Sequence, residues 1–370
     1  MNKSVLSFKD KYFGDKNFYK MTLTIAIPII IQNLLTNLVS MADNIMVGQL
    51  GTNQMSGVAI INQLFFVFNL LVFGGMSGAG LFSAQYFGQK NHNGVRDVFR
   101  MKILIGIAII AISLSVMIFL HEPLINMFLH EGSSSGNIQE TFNYAKNYLY
   151  IMVIGIAPFV ISNCYNTTLK ESGQTVVPMK AGVLAVVFDI VLNYIFIFGK
   201  LGFPAMGVVG AAIATVISRF VECGYLVIYT HRHSNDYPFI KHCYRTLKVP
   251  GSLVKKIIVT GTPLMLNEFL WAGGLTLQTQ ALSTKGLATV GGLNICNTIG
   301  NISNCIFVTM GTTIAIVVGQ LLGAGKLKEA KVTATRMAAF SLLISFGMII
   351  ILGLLGPVFP HFYNTTDEIR

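Results

Sequence analysis

The sequence predicts an all-α, polytopic membrane protein built from two helical lobes, six helices in the first and the first three of a second. Three observations carry that prediction. The apolar runs are too long and too many for a soluble core, basic residues gather in alternate loops, and the chain aligns with itself when displaced by 235 residues. Of the 370 residues, 53% are hydrophobic and 11% charged, and the mean hydropathy is +0.64. A soluble domain carries about 25% charged residues, so a polytopic helical membrane protein is the class that fits.

Residues 1–19 are polar and basic. The first span follows within 21–50. A helix from Leu23 to Leu50 would be roughly 40 Å long, more than a bilayer's hydrocarbon core. It lacks a signal-peptide cleavage pattern and is read as retained. Further spans are expected at about 55–84, 101–120, 143–167, 176–198, 206–230, 254–282, 288–318 and 333–356. Twenty-one of the 26 basic residues, from Lys3, Lys9 and Lys11 through Lys90, Arg96, Lys102, Lys170 and Arg232 to Lys326 and Arg336, then fall on one side. That bias places the amino terminus in the cytoplasm. The net charge of +11 is thus a topology signal with anionic lipid headgroups as its partner; it does not signal nucleic acid.

The longest polar interruption, 231–253, reads as a cytoplasmic linker between a lobe at 20–230 and a lobe at 254–370. At the 235-residue displacement Pro28 meets Pro263, Gly51 meets Gly286, Gly57 meets Gly292 and Asn62 meets Asn297. Asn69 meets Asn304, Gln85 meets Gln320 and Gly88 meets Gly323. An even number of spans per copy makes the repeat parallel, as in some secondary transporters. The first copy has six spans and the second three, so the sequence is expected to lack the last three of twelve helices.

Three acids fall at membrane depth: Asp43 in span one, Asp189 in span five and Glu268 in span seven. A carboxylate there costs roughly 2.5 kcal/mol or more, so such residues usually face a polar cavity and work. One acid alone could equally serve as a structural hydrogen-bond partner. Asp189 and Asn193 stand four apart and share a helix face. Thr215 ends the small-residue run GAAIAT, whose alanines read first as close-packing residues. Two carboxylates, an amide oxygen and a hydroxyl (Asp43, Asp189, Asn193, Thr215) supply the hard oxygens that a sodium ion or a proton relay needs. Asn163 and Asn166 on span four face the same cavity or bond between helices. Pro28 and Pro263 are expected to kink each lobe's first helix. Arg219 and Glu222, at i,i+3, are expected to pair with each other. The two Gln-x-x-Gly runs read as helix stops. Cys164, Cys223, Cys243, Cys296 and Cys305 show no CxxC or metal-ligand spacing and read as small core residues. HExxH, GxSxG and P-loop patterns are absent, which argues against an enzyme or an ATP-driven pump.

The runs MADNIMVGQLG, SAQYFGQKN, LNYIFIFGKLGFPAMGVVGAAIAT and LNEFLWAGG together resemble the multidrug and toxic compound extrusion (MATE) family over essentially the whole chain. The resemblance implies two six-helix lobes opening alternately to each side and a monomer that exports amphipathic, often cationic, organic compounds in exchange for sodium or protons. It implies no cofactor beyond a coupling ion. Asp43 matches the family's first-helix acid. Asn166, Asp189, Asn193, Ala211 and Thr215 match positions around an ion site in the first lobe of some members, and Glu268 matches a seventh-helix acid of others. Asp189 and Asn193 stand with acid and amide exchanged relative to those members. A lipid-linked oligosaccharide flippase of the wider superfamily is the alternative, and it calls for a basic cavity. A membrane-embedded enzyme would need a nucleophile–base or metal cluster that the spans lack.

Overall fold

A computed structural model describes residues 11–129, 137–283 and 287–355. The expectations for Lys3, Lys9, Lys285, Gly286 and the segment 356–370 lie outside those residues, as do those for the side chains of Gly292, Cys296 and Asn297. Helices α1 (Lys16–Gly48), α2 (Thr52–Gly88), α3 (His92–Phe119), α4 (His121–Asn126) and α5 (Ile138–Met152) come first. A short 3₁₀ turn, Val153–Gly155, joins α5 to α6 (Ile156–Glu171). Then follow α7 (Val176–Phe198), α8 (Val208–Arg232), α9 (Gly251–Ser283), α10 (Leu287–Gly323) and α11 (Leu327–Leu355).

Local signals set the ends. Asp15 caps α1, its Oδ1 accepting from the Phe18 amide at 2.9 Å. Asn91 and Asn137 do the same for α3 and α5, satisfying amides that a first turn leaves unpaired. Both α1 and α9 run on as single helices through Pro28 and Pro263.

Among the described residues, eight helices are long and apolar enough to cross a membrane, counting Ile138–Glu171 as one unit of 34 residues. The protein is a multi-pass membrane protein. Of the nine spans expected, α9 is the one outside that set. It is 33 residues long, but Thr260, Thr262, Asn267 and Glu268 make it less apolar. Outward faces bear bare apolar side chains, such as Phe119, Leu270 and Leu354, as a lipid-facing surface should.

Helices α1–α8 enclose one core, with Phe65, Phe68, Phe99, Tyr165 and Ile197 among its buried members. Small residues bring α8 against α7: a Cβ on Gly210 would sit 2.7 Å from the Phe196 carbonyl, and Ala212 and Ala214 are fully buried. The stretch after α8 does more than link. Phe239, Ile240 and Cys243 are buried against the first lobe. Arg100 donates to the carbonyls of Cys243 and His242 at 2.9 and 3.0 Å, and Tyr244 bonds the hydroxyl of Tyr165.

The second lobe meets the first in a reciprocal way. Helix α9 packs on α2, α1 packs on α10, and α2 crosses α10. At that crossing a Cβ on Gly88 would collide with the Gln320 carbonyl, and one on Gly323 with the Gln85 carbonyl. The repeated Gln-x-x-Gly runs, which read as helix stops, do end their helices, and they also dock against each other. Asn33 donates to the Thr309 hydroxyl at 3.1 Å, Asn37 to Cys305 Sγ at 2.8 Å, and Gln320 to the Glu171 carbonyl at 2.8 Å.

Candidate functional site

Inside the first lobe lies a cavity of about 340 Å³, lined by Asp43, Asn62, Asn69, Tyr148, Thr215 and Arg219 among others. Asp43 comes from the last third of α1, Asn62 and Asn69 from α2, Tyr148 from α5, and Thr215 and Arg219 from α8. Behind its wall, α7 contributes Asp189 and Asn193, 4% and 0% exposed. One turn apart, they point the same way. The Asn193 amide donates to Asp43 Oδ1 at 2.6 Å and to Asp189 Oδ2 at 3.1 Å. The Asp189 and Asp43 carboxyls are close neighbours, and the Ser218 and Thr215 hydroxyls lie nearby, Ser218 donating to the Ala214 carbonyl. Asp189 Oδ1 and Asn193 Oδ1 are buried with no hydrogen-bond partner. Ala211 is buried on the same cavity wall.

The set Asp43, Asp189, Asn193, Ala211 and Thr215 therefore comes together in space. Two other expected members do not join it. Asn166 is absent from the cavity lining, and its Oδ1 is buried unpartnered on α6. Asn163 donates to the Phe159 carbonyl of its own helix at 2.9 Å and lines a different cavity. Asn163 thus faces the cavity between the lobes, away from the Asp43 wall. Glu268 stands half-buried on α9 in the second lobe and lines none of the cavities described here.

Two charged residues take unexpected places. Arg219 forms no ion pair with Glu222. Its guanidinium lies 5.3 Å from the Phe65 ring and 5.0 Å from the Phe159 ring, and it donates to the Gly155 carbonyl at 3.4 Å. Lys102, counted above with the loop cations, is fully buried in α3. It donates to Glu171 Oε2 at 2.6 Å, to Thr167 Oγ1 at 2.9 Å and to Thr168 Oγ1 at 3.2 Å. Glu171, with Lys170 and Asn163, borders a second cavity of about 380 Å³ between the lobes, otherwise walled by residues such as Phe73, Leu264 and Ile316. Between α1 and α10 lies a third, of about 260 Å³, lined by Asn33, Asn37, Asn304 and Cys305.

Among the described residues no three His, Cys, Asp or Glu side chains gather as a metal group. Cys164, Cys223, Cys243 and Cys305 are free thiols. Burial pushes the Cys243 thiol, in the segment after α8, up to about 11, so it is inert at neutral pH.

Fold and cavity together define a polytopic α-helical membrane protein that keeps an acid–amide cluster and a cation inside one helical bundle. The MatE family model matches residues 28–195 and 263–370, and the chain belongs to that family. It is 30% identical over 308 residues to the "Probable multidrug resistance protein NorM" of Thermotoga maritima, covering 83% of this chain and 64% of that protein. With the protein of the same name from Halalkalibacterium halodurans it shares 28% over 357 residues, 95% of this chain and 75% of the relative. These relatives are named as resistance proteins and not as enzymes. A MATE crystal structure in complex with MaD3S superposes with TM-score 0.82 at 21% identity, covering 98% of this chain and 78% of that one. An outward-facing multidrug resistance MATE transporter gives 0.81 at 20% identity, covering all of this chain and 79% of that one. At those identities the structural likeness speaks for the fold.

Proposed function

We propose that the chain acts as a cation-coupled antiporter that exports amphipathic, often cationic, organic compounds across the cytoplasmic membrane by alternating access. The observation that carries this reading is the Asp43–Asn193–Asp189 cluster, held by hydrogen bonds of 2.6 and 3.1 Å at the wall of a polar cavity within the bundle. Ionisable groups at that depth are expensive and belong by default to ion or substrate pathways. The names of the NorM relatives support export of drug-like compounds.

Sodium or a proton is the coupling ion. The buried, unpartnered oxygens of Asp189 and Asn193, beside the Asp43 carboxyl and the Thr215 hydroxyl, suit a small hard cation. The closeness of the two carboxyls suits a proton equally. Either ion would favour one lobe arrangement and the organic substrate the other, and that differential affinity drives the switch. The basic loop residues support a cytoplasmic amino terminus. A flippase calls for a basic cavity, and here Arg219 shares its cavity with Asp43, which favours the exporter.

The test is Asp43→Asn in inside-out vesicles, with efflux of a cationic dye driven in turn by a sodium gradient and by a pH gradient. The variant should insert at normal levels and lose dye movement under both gradients. Undiminished efflux would refute the assignment, and the gradient that drives the native chain identifies the ion.

A further inference from the structure

Between α8 and α9 the chain is pinned to the first lobe. Arg96 donates to the Phe239 and Pro238 carbonyls, both at 3.4 Å, and Arg100 to those of Cys243 and His242. His242 is held at φ +60°, in the left-handed region that residues other than glycine rarely adopt. Phe239, Ile240 and Cys243 are buried beneath. The backbone of this segment is therefore set from below, and its outer face is a fixed platform. That face is basic. Lys241, Arg245 and Lys248 are exposed on it, and Lys255 and Lys256 are exposed on the first turns of α9. From Tyr237 to Lys256 the sequence holds no Asp or Glu. Among the described residues none of these five cations forms an ion pair, whereas Lys326, before α11, already meets Glu329 at 3.0 Å. Apolar side chains stand between the charges. Tyr244 and Leu247 are 53% and 42% exposed, and Ile258 and Val259 are bare on α9 while Leu253 and Ile257 turn inward onto Ala79 and Val98.

We propose that the segment from Lys241 to Lys256 is a docking surface for the anionic phospholipid headgroups of the leaflet it adjoins. Helix α8 is long and apolar enough to span the membrane and ends at Arg232, so the segment that follows lies at headgroup level. There Arg245, Lys248, Lys255 and Lys256 meet lipid phosphates, and Tyr244 and Leu247 dip toward the acyl boundary. Cations interleaved with apolar side chains are the composition that rests in that boundary. An acidic protein would satisfy the cations but leave the apolar side chains without a use, which favours lipid. Each Lys or Arg near an anionic leaflet is attracted about fivefold, and cations on one rigid platform act together. The exporter reading is not needed for this surface, and the surface singles out one of several basic loops.

The test titrates the full chain, in detergent, with phosphatidylglycerol or with phosphatidylcholine of the same acyl chains, and native mass spectrometry counts the bound lipid. Phosphatidylglycerol should bind the native chain at least fivefold more tightly. Arg245→Gln, Lys248→Gln and Lys255→Gln together should remove most of that preference at an unchanged melting temperature. Lys326→Gln, Lys328→Gln and Lys331→Gln together delete the same charge from the α10–α11 connection and should change the preference less than twofold. No preference in the native chain, or an equal loss in the two triple variants, overturns the proposal. A fall in the lipid-free melting temperature of the first variant overturns it too, because it marks those cations as packing residues. Tetraglutamate binding the native chain more tightly than phosphatidylglycerol does would assign the surface to an acidic protein and overturn it as well. Failure of coupled export would look different, as an intact lipid preference with no gradient-driven dye movement.

Discussion

Asn193 donates to both acids, so Asn193→Ala should leave two neighbouring carboxyls with no amide between them. Gradient-driven efflux should fall at least tenfold while membrane levels hold, measured by vesicle transport against immunoblot. Lys102 neutralises Glu171 in the interior, and removing one partner of a buried pair costs about 3–5 kcal/mol. Lys102→Met should therefore lower the melting temperature in detergent markedly, and Lys102→Met with Glu171→Leu should recover most of the loss. At Cys243, where burial holds the proton up to about 11, maleimide labelling should be slow at pH 7 and accelerate as the pH nears that value. The acids were legible in the sequence because a charge within a long apolar run stands out, and the four-residue step from Asp189 to Asn193 fixes their common face. Arg219 and Lys102 were not. Glu222 is the nearest acid along the helix to Arg219, and nothing in the sequence says that the guanidinium lies against Phe65 and Phe159 instead of pairing with it. Lys102 sits at the edge of the expected span, and the helix begins nine residues earlier, at His92, which turns a boundary cation into a buried one. Its distant partner Glu171 is equally hidden from sequence.

Among the helices, glycine sets how closely neighbours approach. Gly88 and Gly323 let α2 and α10 cross with backbone against backbone. A carbonyl cannot swing aside as a side chain can, so Gly88→Val should destabilise by about 1–3 kcal/mol or more, read as a lower melting temperature. Gly202 has nothing within 4 Å, yet its φ of +85° lies in the left-handed region, so there conformation rather than space calls for glycine. The helical pattern itself was readable from run length and polar breaks, and capping residues such as Asp15 and Asn91 confirm where elements start. The seam between α5 and α6 was not readable, because a three-residue 3₁₀ turn leaves the apolar run unbroken. The segment 231–253 read as a polar linker because its buried residues, Tyr237, Phe239, Ile240 and Cys243, are too few and too irregularly spaced to show a period.

At the level of the molecule, the two lobes touch mainly through the first two helices of each, a relation the 235-residue repeat anticipates, with Glu171 of α6 and Phe340 of α11 adding contacts at the margins. Asn37 bonds the native Cys305 across that boundary, so Asn37→Cys offers a covalent tie. Oxidation should join the lobes, seen as one band after proteolysis near residue 245, and should stop transport until a reductant is added; transport that persists with the bond formed would rule out relative motion at this seam. The closest part of that boundary is the α2–α10 crossing at the Gly88 and Gly323 end. If the two lobes rock against each other, this crossing is where the fulcrum would lie. Helix α2 has 37 residues, a lever arm of about 55 Å at 1.5 Å per residue. A swing of about 10° about Gly88 would carry the Thr52 end roughly 9 Å, the breadth of a small organic molecule, while the crossing itself scarcely changes. Bulk added at either glycine should consequently be felt most at the opposite face of the membrane, far from where it was introduced.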